Sequence, residues 1–408
     1  MRFDVVVVGG GIIGLATARA LIRQARCSLA LVEAENILAA HQTGNNSGVI
    51  HSGLYYPPRS LKAVNCVRGR EWLFRYCADQ GIPHERCGKL VVASDPAELP
   101  RLAELERRGR ANGLRGLRRI AAERLVDYEP HAAGIAGLWV PQTGIVDFSR
   151  ICQRFAEQVR GGGGEIHLGF QVKKICRKAE ETVLLADNAE LRCRYLINCA
   201  GIYSDRLARL AAIDPGLLIM PFRGEYYCLR PRRRELVRNL IYPVPDPRFP
   251  FLGVHFTRRV NHEVEAGPNA VLALKRLGYG RFSFSLKDFA EIVSYPGFWK
   301  MAGRHWRMGM GEYYRSFSKP AFVRALQRLI PEIVAADLLR GGSGVRAQAL
   351  TANGTLVDDF VIRRGQRMIH VLNAPSPAAT ASLSIGATVA GLAIDDFNLA
   401  KRRVHGNG

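Results

Sequence analysis

No two of the nine cysteines in this 408-residue sequence stand at CxxC spacing. Zinc ribbons and thioredoxin-type redox motifs have no basis without such pairs, and no metal site is expected. Nine is also too few, and odd, for a disulfide scaffold, so reduced thiols in a cytoplasmic protein are expected. No run of about 18 apolar residues occurs, which excludes a spanning helix. Met1-Arg2 is followed at once by Phe3-Asp4-Val5-Val6-Val7-Val8, with no small-residue cleavage site, so no signal peptide is expected. Repeats and low-complexity linkers are missing as well. Acidic residues are scarce: 36 Asp and Glu stand against 58 Lys and Arg, a net charge of +22. Such a field favours acidic substrates, nucleic acid or an anionic membrane surface, although a basic, Arg-rich chain can equally reflect genome composition. What remains is ordinary. A 48% hydrophobic, 23% charged chain of this length folds as a globular protein of about two domains.

The first segment reads strand, glycine turn, helix, strand. Residues 3–8 form a strand ending in four β-branched valines, 9–14 hold the glycines, 13–25 carry apolar residues at helical spacing, and 29–33 form a second strand. A helix is expected over about 60–80. Asp95-Pro96-Ala97-Glu98 has the form of a helix start with a reciprocal glutamate. Residues 222–273 alternate in short apolar runs broken by Pro and Gly, the pattern of an antiparallel sheet. Residues 286–330 read helical, 345–372 as strands, and 379–394 as a small-residue helix. The expected architecture is α/β with an α+β insert: a Rossmann-like dinucleotide-binding domain (1–85, 145–221 and 335–408) interleaved with an antiparallel-sheet substrate domain (86–144 and 222–334).

Gly9, Gly11 and Gly14 form GxGxxG, with Ile12 and Ile13 inside it, directly after a strand and before a helix. The first glycine permits the tight turn, the second lets backbone approach a pyrophosphate, and the third lets helix and strand pack closely. The helix start then offers N–H groups and a positive dipole to phosphate. Glu33, followed by Ala34, ends the second strand about 20 residues on, where a carboxylate accepts ribose hydroxyls. This motif alone does not separate FAD from NAD. A further strand, 195–199, runs into Ala200-Gly201, a turn that two-domain flavoproteins place against the cofactor; Val172 completes the expected cofactor wall.

The segment 41–56, His41-Gln42-Thr43-Gly44-Asn45-Asn46-Ser47-Gly48 and onward, is the most specific. Thr43, Gly44, Asn46, Ser47 and Gly48 supply small and hydroxyl groups for a wall against which a flat ring could lie. Here the chain resembles the D-amino-acid oxidase-like FAD-dependent oxidoreductases, and within them the branch acting on L-2-hydroxyglutarate. The resemblance extends through Gly88-Lys89-Leu90, Thr143-Gly144-Ile145-Val146-Asp147, Phe222-Arg223-Gly224-Glu225-Tyr226-Tyr227, Gly344-Val345-Arg346-Ala347-Gln348 and Asn373-Ala374-Pro375-Ser376-Pro377-Ala378. It departs at Asn45, where the family usually carries a basic residue. The resemblance implies an FAD cofactor and oxidation of a 2-hydroxy acid to a 2-oxo acid by hydride transfer to the flavin.

That chemistry needs a base for the hydroxyl proton, cations for the carboxylates, and stabilisation of negative charge at the flavin. His255, within Gly253-Val254-His255-Phe256, is the candidate base, with His51 as its rival. Arg346 is the candidate carboxylate clamp, since a guanidinium offers a planar fork. A second carboxylate calls for a second cation, Lys62 or Arg223, and Tyr56 and Tyr226 could donate hydroxyls. Ser376, Pro377 and Ala378 permit close approach to the flavin and lead into the last helix, whose dipole suits a reduced ring. Residues 295–308 mix Trp, apolar and basic side chains as an interfacial helix does, so an anionic membrane surface on the inner face of the cytoplasmic membrane and a quinone acceptor are expected partners, with oxygen the alternative acceptor. No RNA-binding module is present, so no nucleic acid is expected. Alternatives are a related amino-acid- or glycerol-3-phosphate-oxidising flavoenzyme, or an RNA-binding flavoprotein.

Overall fold

The computed structural model describes residues 1–247 and 251–402. Two sheets carry the architecture. The first follows the order Lys174–Arg177, Thr182–Leu185, Glu190–Asn198, Arg2–Val8, Leu29–Val32, Glu165–His167, with Met368–Asn373 also on Glu190–Asn198 and Val361–Gly365 on its far side. Its centre is parallel: Val5 to Val8 pair with Tyr195 to Asn198 on one side and with Leu29 to Val32 on the other. Val5, Val6 and Val7 are wholly buried, as a continuous β-branched run must be when both faces of a parallel sheet are covered. Helices Ile12–Gln24, Phe148–Gly161 and Ser382–Asp396 cover one face. Ile12–Gln24 and Ser382–Asp396 pack so closely that a Cβ on Gly386 would meet the Ala16 backbone at 2.6 Å. That is why the last helix is rich in small residues.

The second sheet runs Val271–Leu272, Leu218–Leu229, Val264–Gly267, His255–Arg258, Leu240–Pro243, Lys89–Ala93, Ala136–Val140, Arg118–Ala121. It is antiparallel except where Leu240–Pro243 pairs with Lys89–Ala93. Its other edge strand, Leu338–Leu350, pairs along Leu218–Leu229. These residues were expected to begin as a strand only at 345 and to lie with the nucleotide-binding part. Their Gly-rich, unalternating sequence gives no period, and the partner strand lies more than a hundred residues away. A small third sheet, Val49–Ile50, Gly144–Val146 and His84–Glu85, joins residues from early and middle parts of the chain. All nine cysteines are free.

The helices start where the side chains dictate. Ser60 accepts from the Ala63 N–H and opens Leu61–Asp79, and Asp147 accepts from the Ser149 N–H and opens Phe148–Gly161. Asp95 caps the 3₁₀ turn Pro96–Glu98, ahead of the helix Leu99–Ala111. Glu98 does not return to Asp95, as its spacing suggested. Its carboxylate accepts from the Ser94 N–H at 2.8 Å, one residue earlier, because a 3₁₀ turn intervenes. Three consecutive helices, Leu286–Ser294, Pro296–Phe317 and Lys319–Gln327, fill the region read as helical. Among the described residues, no helix is long and apolar enough to cross a membrane.

Candidate functional site

One cavity of about 1410 Å³ runs between the two sheets, and its wall is built from residues distant in sequence. At one end lies the glycine turn. Gly9 has φ +116° and a Cβ there would stand 2.3 Å from the Cys199 carbonyl oxygen. A Cβ on Gly14 would stand 1.9 Å from the Gly9 carbonyl oxygen, so a side chain at either position would force backbone to move. The first turn of Ile12–Gln24 lies on the wall with the positive end of its dipole. Glu33 is buried, and its carboxylate accepts from the Gly10 N–H at 2.6 Å and the Glu35 N–H at 3.0 Å. Thr43 Oγ1 accepts from the Ile12 N–H at 3.2 Å and so ties the 41–48 segment to the turn.

The Ala200-Gly201 turn is held from behind. Asn198 Oδ1 accepts from the Ala200 N–H, its Nδ2 donates to the Ser204 carbonyl, and Gly201 has φ +54°. Beyond it, the wholly buried Asp205 takes a bidentate contact from the buried Arg276, which also donates to the Ile202 carbonyl. Arg206 bridges Asp288 and Glu291 beside them. This ion network anchors the turn to the helix Leu286–Ser294 of the other sheet's region. In the middle of the cavity, the His51 N–H donates to Thr380 Oγ1 at 3.0 Å, and His51 Nε2 lies 3.4 Å from Ser376 Oγ. The early loop and the 376–380 turn thereby form a continuous wall. Asn45 turns its amide back onto the Ala40 and His41 carbonyls.

The far end is ringed by His51, Tyr55, Tyr56, Lys62, Tyr226, Tyr242, His255 and Arg346. His255 Nδ1 lies 2.8 Å from the Gly253 carbonyl. A carbonyl can only accept, so the proton sits on Nδ1 and Nε2 presents a lone pair. Burial, with Arg346 and Lys89 nearby, pushes His255 down to about 3; burial, then Lys89, His255 and Arg346, do the same to His51. Both rings are therefore neutral at pH 7, and His51 Nδ1 is buried without a partner. Arg346 is half-buried, stacks over the Phe251 ring at 5.2 Å, and is engaged by no salt bridge among the described residues. Burial raises Tyr226 to about 12, so it stays a hydroxyl.

Most of the expected residues meet on this one wall. Gly9, Gly11, Ile12, Ile13, Glu33, Ala34, Thr43, Asn46, Ser47, Val172, Ala200, Gly201, Ser376, Pro377 and Ala378 line it, as do His255, His51, Arg346, Lys62, Tyr56 and Tyr226. Gly14, Gly44 and Gly48 do not. They stand behind the wall, where a Cβ would meet the Gly9, Ala39 and Val146 carbonyl oxygens. Arg223 is placed away from the cavity. Phe222 faces Arg346 across the strand pair and Arg223 faces Val345, so strand alternation turns Arg223 to the opposite side of the sheet. There it binds Glu225 and the Gly280 carbonyl. Lys62 reaches the cavity but is ion-paired to Asp358 at 2.6 Å. Sequence reasoning missed Tyr55, Tyr242, Asp358 and the buried Lys89. A lysine inside an apolar strand, Lys89-Leu90-Val91-Val92-Ala93, was the available signal for the last.

A dinucleotide fits this cavity. The glycine cradle leaves backbone where side chains would block it, Glu33 stands where ribose would lie, and small residues flank the middle. Comparison with known proteins agrees. The family model described as FAD dependent oxidoreductase matches residues 4–392. An L-2-hydroxyglutarate dehydrogenase of Indibacter alkaliphilus is 51% identical over 399 residues, covering 97% of this chain and 100% of the relative. The mitochondrial L-2-hydroxyglutarate dehydrogenase of Homo sapiens is 47% identical over 95% of this chain and 88% of its own. Among solved structures, the L-alpha-glycerophosphate oxidase of Mycoplasma pneumoniae superposes with TM-score 0.80 over 99% of this chain and 97% of its own, at 23% identity. That likeness is one of fold. The chain belongs to the DAO family of FAD-dependent oxidoreductases.

Proposed function

We propose that this chain oxidises L-2-hydroxyglutarate to 2-oxoglutarate, with His255 taking the hydroxyl proton and Arg346 holding the carboxylate next to it. The observation that carries the reading is the meeting in one cavity of a dinucleotide cradle, a neutral histidine of fixed tautomer and a guanidinium that no salt bridge among the described residues engages. The substrate named for the relatives at 51% and 47% identity supports it. FAD, held by the Gly9–Gly14 turn, Glu33 and the Ala200-Gly201 turn, supplies the two-electron acceptor for the hydrogen on C2.

The protein residues supply the rest. Arg346 fixes the C1 carboxylate by a charge-assisted fork, which orients the hydroxyl carbon. Tyr56 and Tyr226, both neutral, donate hydroxyls. Lys62, on the same cavity wall, serves the second carboxylate, since its partner Asp358 is solvent-exposed and can be displaced. His255 Nε2 takes the hydroxyl proton while Gly253 holds the other ring nitrogen. The cations beside His255 make the empty site a poor place for that proton. A bound dicarboxylate brings two opposite charges and raises the histidine's proton affinity when it is needed. His51 is the second candidate for this proton.

The test is anaerobic. L-2-hydroxyglutarate, its D enantiomer, L-lactate, glycine and glycerol-3-phosphate are added separately to the purified flavoprotein. Bleaching by L-2-hydroxyglutarate alone is expected. Bleaching by glycine or glycerol-3-phosphate instead would replace the substrate and leave the fold assignment standing.

The same proposal extends to an anionic membrane surface and a quinone acceptor. Trp299 and Trp306 are 62% and 59% exposed on the helix Pro296–Phe317, with Met310, Tyr314 and Phe317 also outward. Exposed charges nearby are Lys287, Lys300, Arg304 and Arg307, whereas Asp288, Glu291 and Glu312 are turned inward and bonded. Aromatic, apolar and basic groups without an exposed acid suit a lipid headgroup layer. Co-sedimentation with anionic vesicles at low salt is expected, and its absence would remove this part.

A further inference from the structure

We propose that Lys89 is a positioning residue for the reaction: its buried ammonium braces the Tyr242–His255 ring pair from behind and supplies the positive potential that draws a dianionic hydroxy acid toward Arg346. The inference rests on the substrate class of the preceding reading.

The geometry is a row across three adjacent strands. His255, Tyr242 and Lys89 lie on His255–Arg258, Leu240–Pro243 and Lys89–Ala93, neighbours in the second sheet. The Tyr242 and His255 ring centroids are 3.9 Å apart. Lys89 Nζ stands 4.6 Å from the Tyr242 centroid and 4.3 Å from that of Tyr55. The residue is 1% exposed, and no salt bridge among the described residues engages it. A buried ammonium without a carboxylate is costly, and two aromatic faces only partly replace its hydration. Apolar residues would pack this strand as well, so packing does not account for a lysine here. Its field does account for it, because each nearby ring and the Arg346 guanidinium line the far end of the cavity.

The groups facing Lys89 come from every element around it. Cys66, on the helix Leu61–Asp79, is pushed up to about 12 by burial and is a neutral thiol. Burial raises Tyr55 well above its usual range and Tyr242 also above it, so both are neutral; His51 and His255 are neutral, and Arg346 presents its guanidinium. Burial pushes Lys89 itself down to about 7. Lys89 is therefore the group of this set that changes charge near neutrality. As pH rises through about 7, the far end of the cavity loses one positive charge.

The experiment measures glutarate, a dianion without the oxidisable hydroxyl, by its perturbation of the flavin spectrum from about pH 6 to about pH 9. Wild type, Lys89→Met and Lys89→Arg are compared, with Tm recorded for each. Wild-type affinity is expected to fall roughly tenfold across the Lys89 titration. Lys89→Arg should hold the low-pH affinity and move the fall out of the range. Lys89→Met should bind roughly tenfold more weakly at pH 6, without pH dependence, at unchanged or higher Tm, because a buried charge has been removed. A wild-type profile retained in Lys89→Met, or a fall near pH 7 retained in Lys89→Arg, overturns the proposal. Should Lys89→Met not fold, the arginine variant decides alone. Wild type that binds glutarate with the Lys89-dependent profile but is not reduced by L-2-hydroxyglutarate loses that particular substrate and keeps Lys89 as the source of the field on a dianion. Reduction by L-2-hydroxyglutarate together with glutarate binding indifferent to Lys89 loses this one alone.

Discussion

Arg346 and His255 make different demands on substitution. Arg346→Met removes a fork and a charge, so kcat/KM should fall roughly 10²-fold or more, mostly through KM, and Arg346→Lys should recover only part because an ammonium is not a fork. His255→Asn should keep substrate affinity and lower kcat roughly 10²- to 10⁴-fold, with the flavin spectrum unchanged. Steady-state kinetics on both variants check this. A larger kcat loss in His51→Asn than in His255→Asn would exchange their roles. Both histidines and Arg346 were visible in the sequence as chemistry. Arg223 was a candidate, beside Lys62, for the second carboxylate, yet strand alternation aims it at Glu225 on the far side of the sheet. A one-residue difference in a strand decides which face a charge serves, and no composition or spacing argument sees that face before the pairing is known.

At the level of elements, the glycine turn and the strand-to-helix turn at Ala200-Gly201 are separately legible but jointly built. Gly14→Ala would drive a Cβ into the Gly9 carbonyl at 1.9 Å. Overpacking of this kind costs about 1–3 kcal/mol, so flavin affinity should fall by about 10- to 100-fold, read by fluorescence of released flavin. Arg276→Met should lower Tm, because Asp205 would then lose its bidentate partner while wholly buried; breaking a buried pair costs about 3–5 kcal/mol. The same variant should loosen the Ala200-Gly201 turn and weaken flavin retention. The βαβ start was readable because its apolar periods are local. The strand Leu338–Leu350 was not, since its glycines hide any period and its partner is far away in sequence.

Over the whole molecule, acid stability follows from histidines buried neutral. His51 and His255 lie near 3 and His370, also inside, near 4, against an ordinary value of 6.5. Below 6.5 the unfolded chain binds protons that the folded chain refuses, so stability falls as pH falls from 6.5 toward those values. At pH 5 each histidine should withdraw about 2 kcal/mol, at about 1.4 kcal/mol per pH unit. Proton uptake on unfolding, measured by calorimetry in buffers of different ionisation enthalpy, should approach three per molecule near pH 5 from these side chains. Uptake near zero would mean that water reaches the rings.

The sequence by itself determined the dinucleotide cradle, its carboxylate, the antiparallel insert, and the residue types that handle a hydroxy acid. Each depends on local spacing: a glycine turn after a strand, a period of two, a polar residue in an apolar run. Only the tertiary structure decided which charges share the cavity. Lys62 meets Asp358, Arg223 turns away, Arg346 stays outside any salt bridge among the described residues, and Lys89 is sealed behind Tyr55 and Tyr242. Those outcomes depend on register and burial between strands far apart in the chain, and it is burial that turns an ordinary histidine or lysine into a group with a shifted proton affinity.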